Sequence, residues 1–228
     1  ANVTMGVGNG AGITLSQGAN NSYIFNNTLG NQFLGINITS INNGIIEKNV
    51  INIFYNQATY GIYLRDSQNN TLYLNNITSF GLALYVTASS KNNITNNIAF
   101  SNSSEAILLG TSSKNNLSYN IGASNSSGTF GAITIDSFSP NNILFSNNGT
   151  SNSSSGIYIT SSDNNVTSNI GNTNSTLRDG ISISTDNVTF NSNTGNSSGG
   201  NGIFLRVSLN SNSTSNIGYS NSSSGIYI

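Results

Sequence analysis

A tetrapeptide with the pattern Gly-Ile-x-Leu returns along the whole chain, and the same turn-rich spacer separates its copies. They begin at Gly12, Gly35, Gly61, Gly81, Ala106, Ala132, Gly156, Gly180, Gly202 and Gly225. Their starts lie about 20 to 26 residues apart, the spacing of a solenoid in which one supersecondary unit is written again and again. The second and fourth positions are aliphatic, as in Ile62 and Leu64 or Ile157 and Ile159. The third varies freely: Thr14, Asn37, Tyr63, Ala83, Leu108, Thr134, Tyr158, Ser182, Phe204 and Tyr227. Alternation of this kind is that of a strand with one buried face.

About ten residues downstream of each copy comes Asn-Asn-Φ-x-x-Asn-Φ-Gly/Ala, where Φ is apolar. Asn92 to Ala99, Asn115 to Gly122 and Asn164 to Gly171 show it most clearly. Each unit therefore holds three short apolar strands and three polar corners. A unit of this size cannot fold alone, because it buries too little surface to offset the entropy of ordering it. Stacking solves this. If each unit makes one turn of a coil, its strands pair with those about 4.8 Å above and below, and the aliphatic pairs form columns inside. The expected fold is all-β: a right-handed, single-stranded parallel β-helix of about ten coils of about 24 residues, roughly 45 Å long. It occupies residues 1–228 as one domain, or as a segment of a longer solenoid.

The recurrent Asn has a physical reason. Asn tolerates the left-handed conformation that a sharp corner demands, and its amide both donates and accepts, so stacked copies can bond in ladders. Asn93, Asn116, Asn165 and Asn187 fall in the expected corner ladder. The stretch from Gly61 through Ile62, Tyr63, Leu64, Arg65, Asp66 and Asn69-Asn70 to Asn76 resembles the parallel β-helix repeat of the pectate lyase-like superfamily and of NosD-type surface and periplasmic proteins. The resemblance covers the whole chain. It implies the fold and leaves function open, since that superfamily includes lyases, glycoside hydrolases, adhesins, tailspikes and structural proteins. NosD-type proteins are linked to copper delivery, but copper sites want His, Cys or Met, and this chain has no His, no Cys and one Met, Met5. No metal or cofactor is expected.

A lyase of this superfamily would need a base, usually with calcium held by clustered acids, and a hydrolase two or three Asp on adjacent coils. The seven acids, Glu47, Asp66, Glu105, Asp136, Asp163, Asp179 and Asp186, are scattered. Coil alignment puts Arg65, Asp136 and Arg206 in one column, with Arg65 and Asp136 three coils or about 14 Å apart, too far for one reacting bond. Lys91, Lys114 and Asp163 share the position before the Asn pair; Glu105 and Asp179 share the one before the strand Gly. No catalytic residue is assigned, and the chain is read as not an enzyme. Six Lys or Arg against seven Asp or Glu leave a net charge of −1, no footprint for nucleic acid. No apolar run reaches transmembrane length.

About eighteen Asn-x-Ser/Thr sites occur, against roughly twelve by chance at this composition. Position says more than the count. Asn102, Asn125, Asn152, Asn174, Asn196 and Asn221 each open such a triplet a few residues before the next strand, an expected column along one corner. They are candidates for glycosylation, or for a second hydrogen-bonding ladder. Tyr63, Tyr158, Phe204 and Tyr227 should stand outward on the strand face as a contact surface for sugar or for a neighbouring subunit, the C-terminal half being the richer. The chain ends on the strand Gly225 to Ile228 and begins with a segment from Ala1 that would nearly complete that coil. A head-to-tail self-assembly or a window on a longer rod follows. The resulting expectation is an extracellular or cell-surface structural protein (surface layer, sheath, filament or adhesin stalk). The alternative is a polysaccharide-binding or polysaccharide-degrading β-helix using the outward aromatics.

Overall fold

The computed structural model describes residues 2–54, 59–128, 130–206 and 210–228. Ala1 and the Met5 side chain, both invoked above, lie outside the described set. The chain winds as a right-handed parallel β-helix with three strands per coil, for example Asn93–Thr95, Ile98–Ser101 and Ile107–Gly110. Three parallel ladders result. The first carries the Gly-Ile-x-Leu strands, the second the strands after the Asn pair, and the third those after the later Asn. Two long strands, Asn2–Leu15 and Thr28–Thr39, turn a corner without a break and so join the third ladder to the first.

Alternation puts the predicted aliphatics inside. From Ile36 and Ile38 to Ile203 and Leu205, the first ladder sends two side chains per coil into the core, and Ile24 to Phe190 on the second ladder meet them. Each such side chain contributes roughly 1.5 to 3 kcal/mol of burial. The third ladder turns small on the way, from Ile51 and Ile77 through Ala99 to Gly122, Gly149, Gly171 and Gly195. The reason is close approach: a Cβ on Gly171 would lie 2.3 Å from the Gly180 carbonyl oxygen and 2.5 Å from the Ile181 side chain. The glycines of the two sequence motifs face each other across a pinched interior.

Two buried polar ladders run beside the core. In the longer one, Asn49, Asn75, Asn97, Asn120, Asn147, Asn169, Asn193 and Asn216 succeed one another at intervals of 22 to 27 residues. Asn97 is typical. Its Oδ1 accepts from the Asn75 backbone N–H (3.0 Å) and Nδ2 (2.9 Å), while its own Nδ2 donates to the Leu72 carbonyl (2.9 Å) and to Asn120 Oδ1 (3.1 Å). Every polar site on a fully buried amide is thereby occupied. The second ladder, Asn70, Asn92, Asn115, Asn142 and Asn164, is built likewise and is flanked by Ser67, Ser89, Ser112, Ser139 and Ser161, whose hydroxyls accept backbone N–H groups of the preceding coil.

These ladders correct the expected one. Asn93, Asn116 and Asn165 are the outward first residues of strands in the second ladder, and the buried amide is the residue before each. Asn187 has φ +53° and is exposed. Left-handed geometry and amide bonding, assigned above to one Asn, belong to two neighbours: the residue before each ladder Asn takes positive φ. That series runs Asn26, Lys48, Leu74, Asn96, Tyr119, Ser146, Ser168, Ser192 and Ser215 at one corner. At the other it includes Asn69, Lys91, Lys114, Asn141 and Asp163, so that the three charges sharing the position before the Asn pair all take positive φ.

Leu74 (φ +54°) and Tyr119 (φ +57°) hold a conformation that costs a residue with a Cβ about 1–2 kcal/mol. Leu74→Gly should therefore raise the urea midpoint by the equivalent of about 1 kcal/mol. Asn120→Ala, which strips partners from Asn97, the Ile94 carbonyl and Asn147, should lower it by on the order of 3 kcal/mol.

Candidate functional site

The outward positions of the first ladder form a broad face whose middle is aromatic. Register along it runs Asn37, Tyr63, Tyr85, Leu108, Thr134, Tyr158, Ser182, Phe204, Tyr227. The fourth coil differs from expectation. Leu84 and Val86, not Leu82 and Leu84, pair with Ile62 and Leu64, so Tyr85 points outward and Ala83 is buried. Residues 81–86 contain two overlapping aliphatic pairs, and sequence spacing cannot choose between them. Pairing with the coil below does.

With Tyr85 in place, three tyrosines close into a platform. Tyr60 and Tyr63 stack at 5.0 Å between centroids, Tyr63 and Tyr85 at 5.4 Å, and Tyr60 and Tyr85 at 5.6 Å. Tyr60 also lines a cleft with Thr59, Phe80, Gly81, Leu82, Ser103 and Ser104. The remaining aromatics are paired: Phe130 edge-on to Tyr158 and Phe204 stacked on Tyr227. The richest part of the face is thus in the third and fourth coils, not in the C-terminal half. Thr134, an outward position by register, is buried and bonded through its hydroxyl to Gly131.

Beside this file runs the column that follows the strands: Thr39, Arg65, Thr87, Gly110, then Asp136, Thr160, Ser184 and Arg206. Arg65 and Asp136 are three coils apart, as the alignment implies, but the space between them is organised. Thr87 and Gly110 make a low floor. Tyr85 leans over Gly110, so that a Cβ there would lie 3.3 Å from Tyr85 Oη and 3.2 Å from Asp136 Oδ2. The carboxylate is fixed by its other oxygen, Oδ1, which accepts from the Ser139 hydroxyl (3.0 Å) and the Thr111 and Phe138 amides (3.2 and 3.3 Å). Asp136 Oδ2 and Tyr85 Oη have no hydrogen-bond partner among the described residues. Arg65 donates through Nε to Asp66 (3.1 Å) and is otherwise exposed. Glu105 is buried near the opposite edge of the face and accepts from the Ser104 hydroxyl.

Burial raises the Tyr60 phenol above the usual tyrosine range, and the neighbouring Tyr63 and Tyr85 phenols add to the rise. The group is therefore held neutral by the fold. Its contribution to stability is complete below the unfolded value near pH 10 and is lost as pH climbs through the higher folded value. Among the described residues no cluster of His, Cys, Asp or Glu could hold a metal ion.

The proposed corner column of sequons is only partly a column. Asn102, Asn125, Asn152 and Asn174 lie in one file, exposed and joined amide to amide, and Asn221 occupies the same register two coils on. Asn196 does not: Ser198 holds that position, and Asn196 pairs with Asn172 inside the third ladder, two residues earlier. The strand has the same length in that coil; its sequon begins two residues sooner, inside the strand.

Residues 2–137 match the family model described as right handed beta helix region, and the chain belongs to that family. No curated protein sequence matches it. Among solved structures it is similar to a double mutant of the periplasmic alginate epimerase AlgG, with a TM-score of 0.60 and 16% identity over 90% of this chain and 50% of that one. It is also similar to the catalytic domain of a GH87 alpha-1,3-glucanase in complex with nigerose, with a TM-score of 0.57 and 15% identity over 94% of this chain and 53% of that one. The chain spans about half the length of these structures. By name, the first acts on alginate and the second on alpha-1,3-glucan. The expectation of a non-catalytic filament, sheath or surface layer, and with it the reading that the chain is not an enzyme, gives way to the carbohydrate-active alternative.

If the tyrosine platform is built as described, Tyr60→Phe should remove one late-ionising phenol from an ultraviolet pH titration. It should also reduce the loss of stability seen above pH about 10 relative to the parent.

Proposed function

We propose that the chain is a polysaccharide-modifying β-helix. The observation that carries this is the convergence of Asp136 Oδ2 and Tyr85 Oη on the gap at Gly110, beside a platform of stacked tyrosines. Sugar rings stack on aromatic faces, and a platform of three rings supplies affinity without charge. The floor formed by Thr87 and Gly110 lets a glycan approach the backbone, with Arg65 at one end of the track and Asp136 at the other.

Across the gap the carboxylate faces a phenol rather than a second carboxylate. A carboxylate and a phenol on opposite sides of a sugar can remove one proton and deliver another, the division of labour of epimerisation or β-elimination. In elimination, Asp136 takes the proton on the carbon next to a uronic carboxyl, and the bond from the neighbouring carbon to the glycosidic oxygen breaks. A double bond forms between the two carbons, and Tyr85 protonates the departing oxygen. A two-carboxylate hydrolysis requires carboxyl groups about 5–9.5 Å apart, one of them on each side of the scissile bond. Such an activity acts on polymers outside the cytoplasm, in the envelope or secreted. The similarity to a periplasmic epimerase supports that location, and no helix among the described residues is long and apolar enough to cross a membrane.

The test is incubation with polyuronates and neutral glycans, following new double bonds by ultraviolet absorbance, reducing ends by colorimetry and ring configuration by proton NMR. Turnover should fall at least about 100-fold in Asp136→Asn and in Tyr85→Phe with binding retained. Tyr63→Ala should weaken binding instead. Full activity in both Asp136→Asn and Tyr85→Phe would remove this pair from the reaction.

A further inference from the structure

The third ladder carries a second organised surface, remote in kind from the tyrosine platform. A row of amides runs along it parallel to the helix axis, with a shorter pair beside one end. The outer row is Asn102, Asn125, Asn152 and Asn174, in which each Nδ2 donates to the Oδ1 of the coil before, at 3.4, 2.6 and 3.1 Å. Two residues earlier on the strands lies a shorter pair: Asn196 Nδ2 donates to Asn172 Oδ1 (2.7 Å), and Asn172 Nδ2 donates to Asn148 Oδ1 (3.3 Å) and to the hydroxyl of Thr150 (3.4 Å), which holds this register in the coil before. Beside the row the chain dips to the buried Ser101, Ser124, Ser151, Thr173 and Ser197. A shallow groove results, bounded by Asn172, Asn174, Asn196, Ser198 and the exposed Tyr219.

The contrast with the buried ladder is instructive. There every amide makes four bonds and has nothing left to offer. In the exposed outer row the interior amides Asn125 and Asn152 each spend one N–H and one lone pair on their neighbours, which leaves one donor and one acceptor for solvent or ligand. Their positions are already fixed by the ladder, so a ligand need not immobilise the side chains on binding. Donor and acceptor together, repeated once per coil at about 4.8 Å, match hydroxyls repeated once per sugar along an extended glycan. No strand of this ladder from Val50 to Ser220 contains a charged residue, so the complementary ligand is uncharged.

We infer that the exposed amide row on the third ladder, with Asn172 and Asn196 at its end, is a binding track for a neutral polysaccharide lying along the helix axis. The track is separate from the site at Gly110 and does not depend on it. It also gives the exposed sequon asparagines a role as ligand-binding amides rather than as glycan acceptors.

Affinity electrophoresis of the full chain in gels containing hydroxyethylcellulose, or, separately, polygalacturonate, tests this. The parent should be retarded by the neutral polymer. Asn152→Ala/Asn172→Ala should cut the apparent affinity at least tenfold while circular dichroism stays unchanged, and Tyr23→Ala, at an exposed ring on the second ladder, should be retarded like the parent. The milder Asn174→Ser, at an exposed corner, gives the same readout should the double variant fail to fold. Loss of retardation only in Tyr63→Ala would assign neutral-glycan binding to the tyrosine platform and overturn the track. So would an unretarded parent, or a glycan found by mass spectrometry on Asn125 or Asn152 of the natural protein, since it would fill the groove.

Discussion

Buried amides that satisfy one another from coil to coil are what make the rest of the molecule possible. A core pinched enough for glycines to touch across it has no room for water to reach the corner backbone, and an unpaired buried polar group costs about 1–3 kcal/mol. The Asn49-to-Asn216 ladder meets that demand at every coil, a single side chain binding a backbone N–H and a carbonyl of the preceding coil and the amide of the following one. It also fixes the stagger of neighbouring coils. A slip by one residue would turn the aliphatic face outward and break the amide chain at once.

Fixed stagger is in turn what builds the candidate site. None of its groups are near in sequence: Tyr63, Tyr85, Gly110 and Asp136 come from four successive coils. Each is placed by a strand whose inner neighbours are locked in the core, so the outer side chains stand on a rigid support. The Asp136 carboxylate adds its own anchoring through Ser139 and two amides, which leaves one oxygen free in a defined direction. A solenoid read only as a rod misses this, because its columns are as long as a polymer and any column can be specialised over a few coils.

The ladders and the fold were legible because they repeat. Ten aliphatic pairs in register specify strand, face and coil length, and the Asn spacing marks the corners. What does not repeat was harder to see. In the fourth coil, Leu82, Ala83, Leu84, Tyr85 and Val86 fit the motif in two registers, and the wrong one hides Tyr85 from the outer face. Tyr60 precedes its motif and belongs to no pattern. The sequon at Asn196 looks like its fellows, yet pairing with Asn172 puts it inside the strand, two residues from their column.

Composition and periodicity by themselves determined that the chain forms a right-handed parallel β-helix, which residues fill the core in all but the fourth coil, and that its corners are held by asparagine. These depend on local alternation and on summed burial, which any correct register shares. Tertiary structure alone decided which of two neighbouring asparagines is buried and which takes positive φ, which tyrosines meet, and that the carboxylate of Asp136 faces the phenol of Tyr85 over a glycine. Such facts depend on how one coil sits upon the next, to within a single residue, and that is set by pairing between segments more than twenty residues apart.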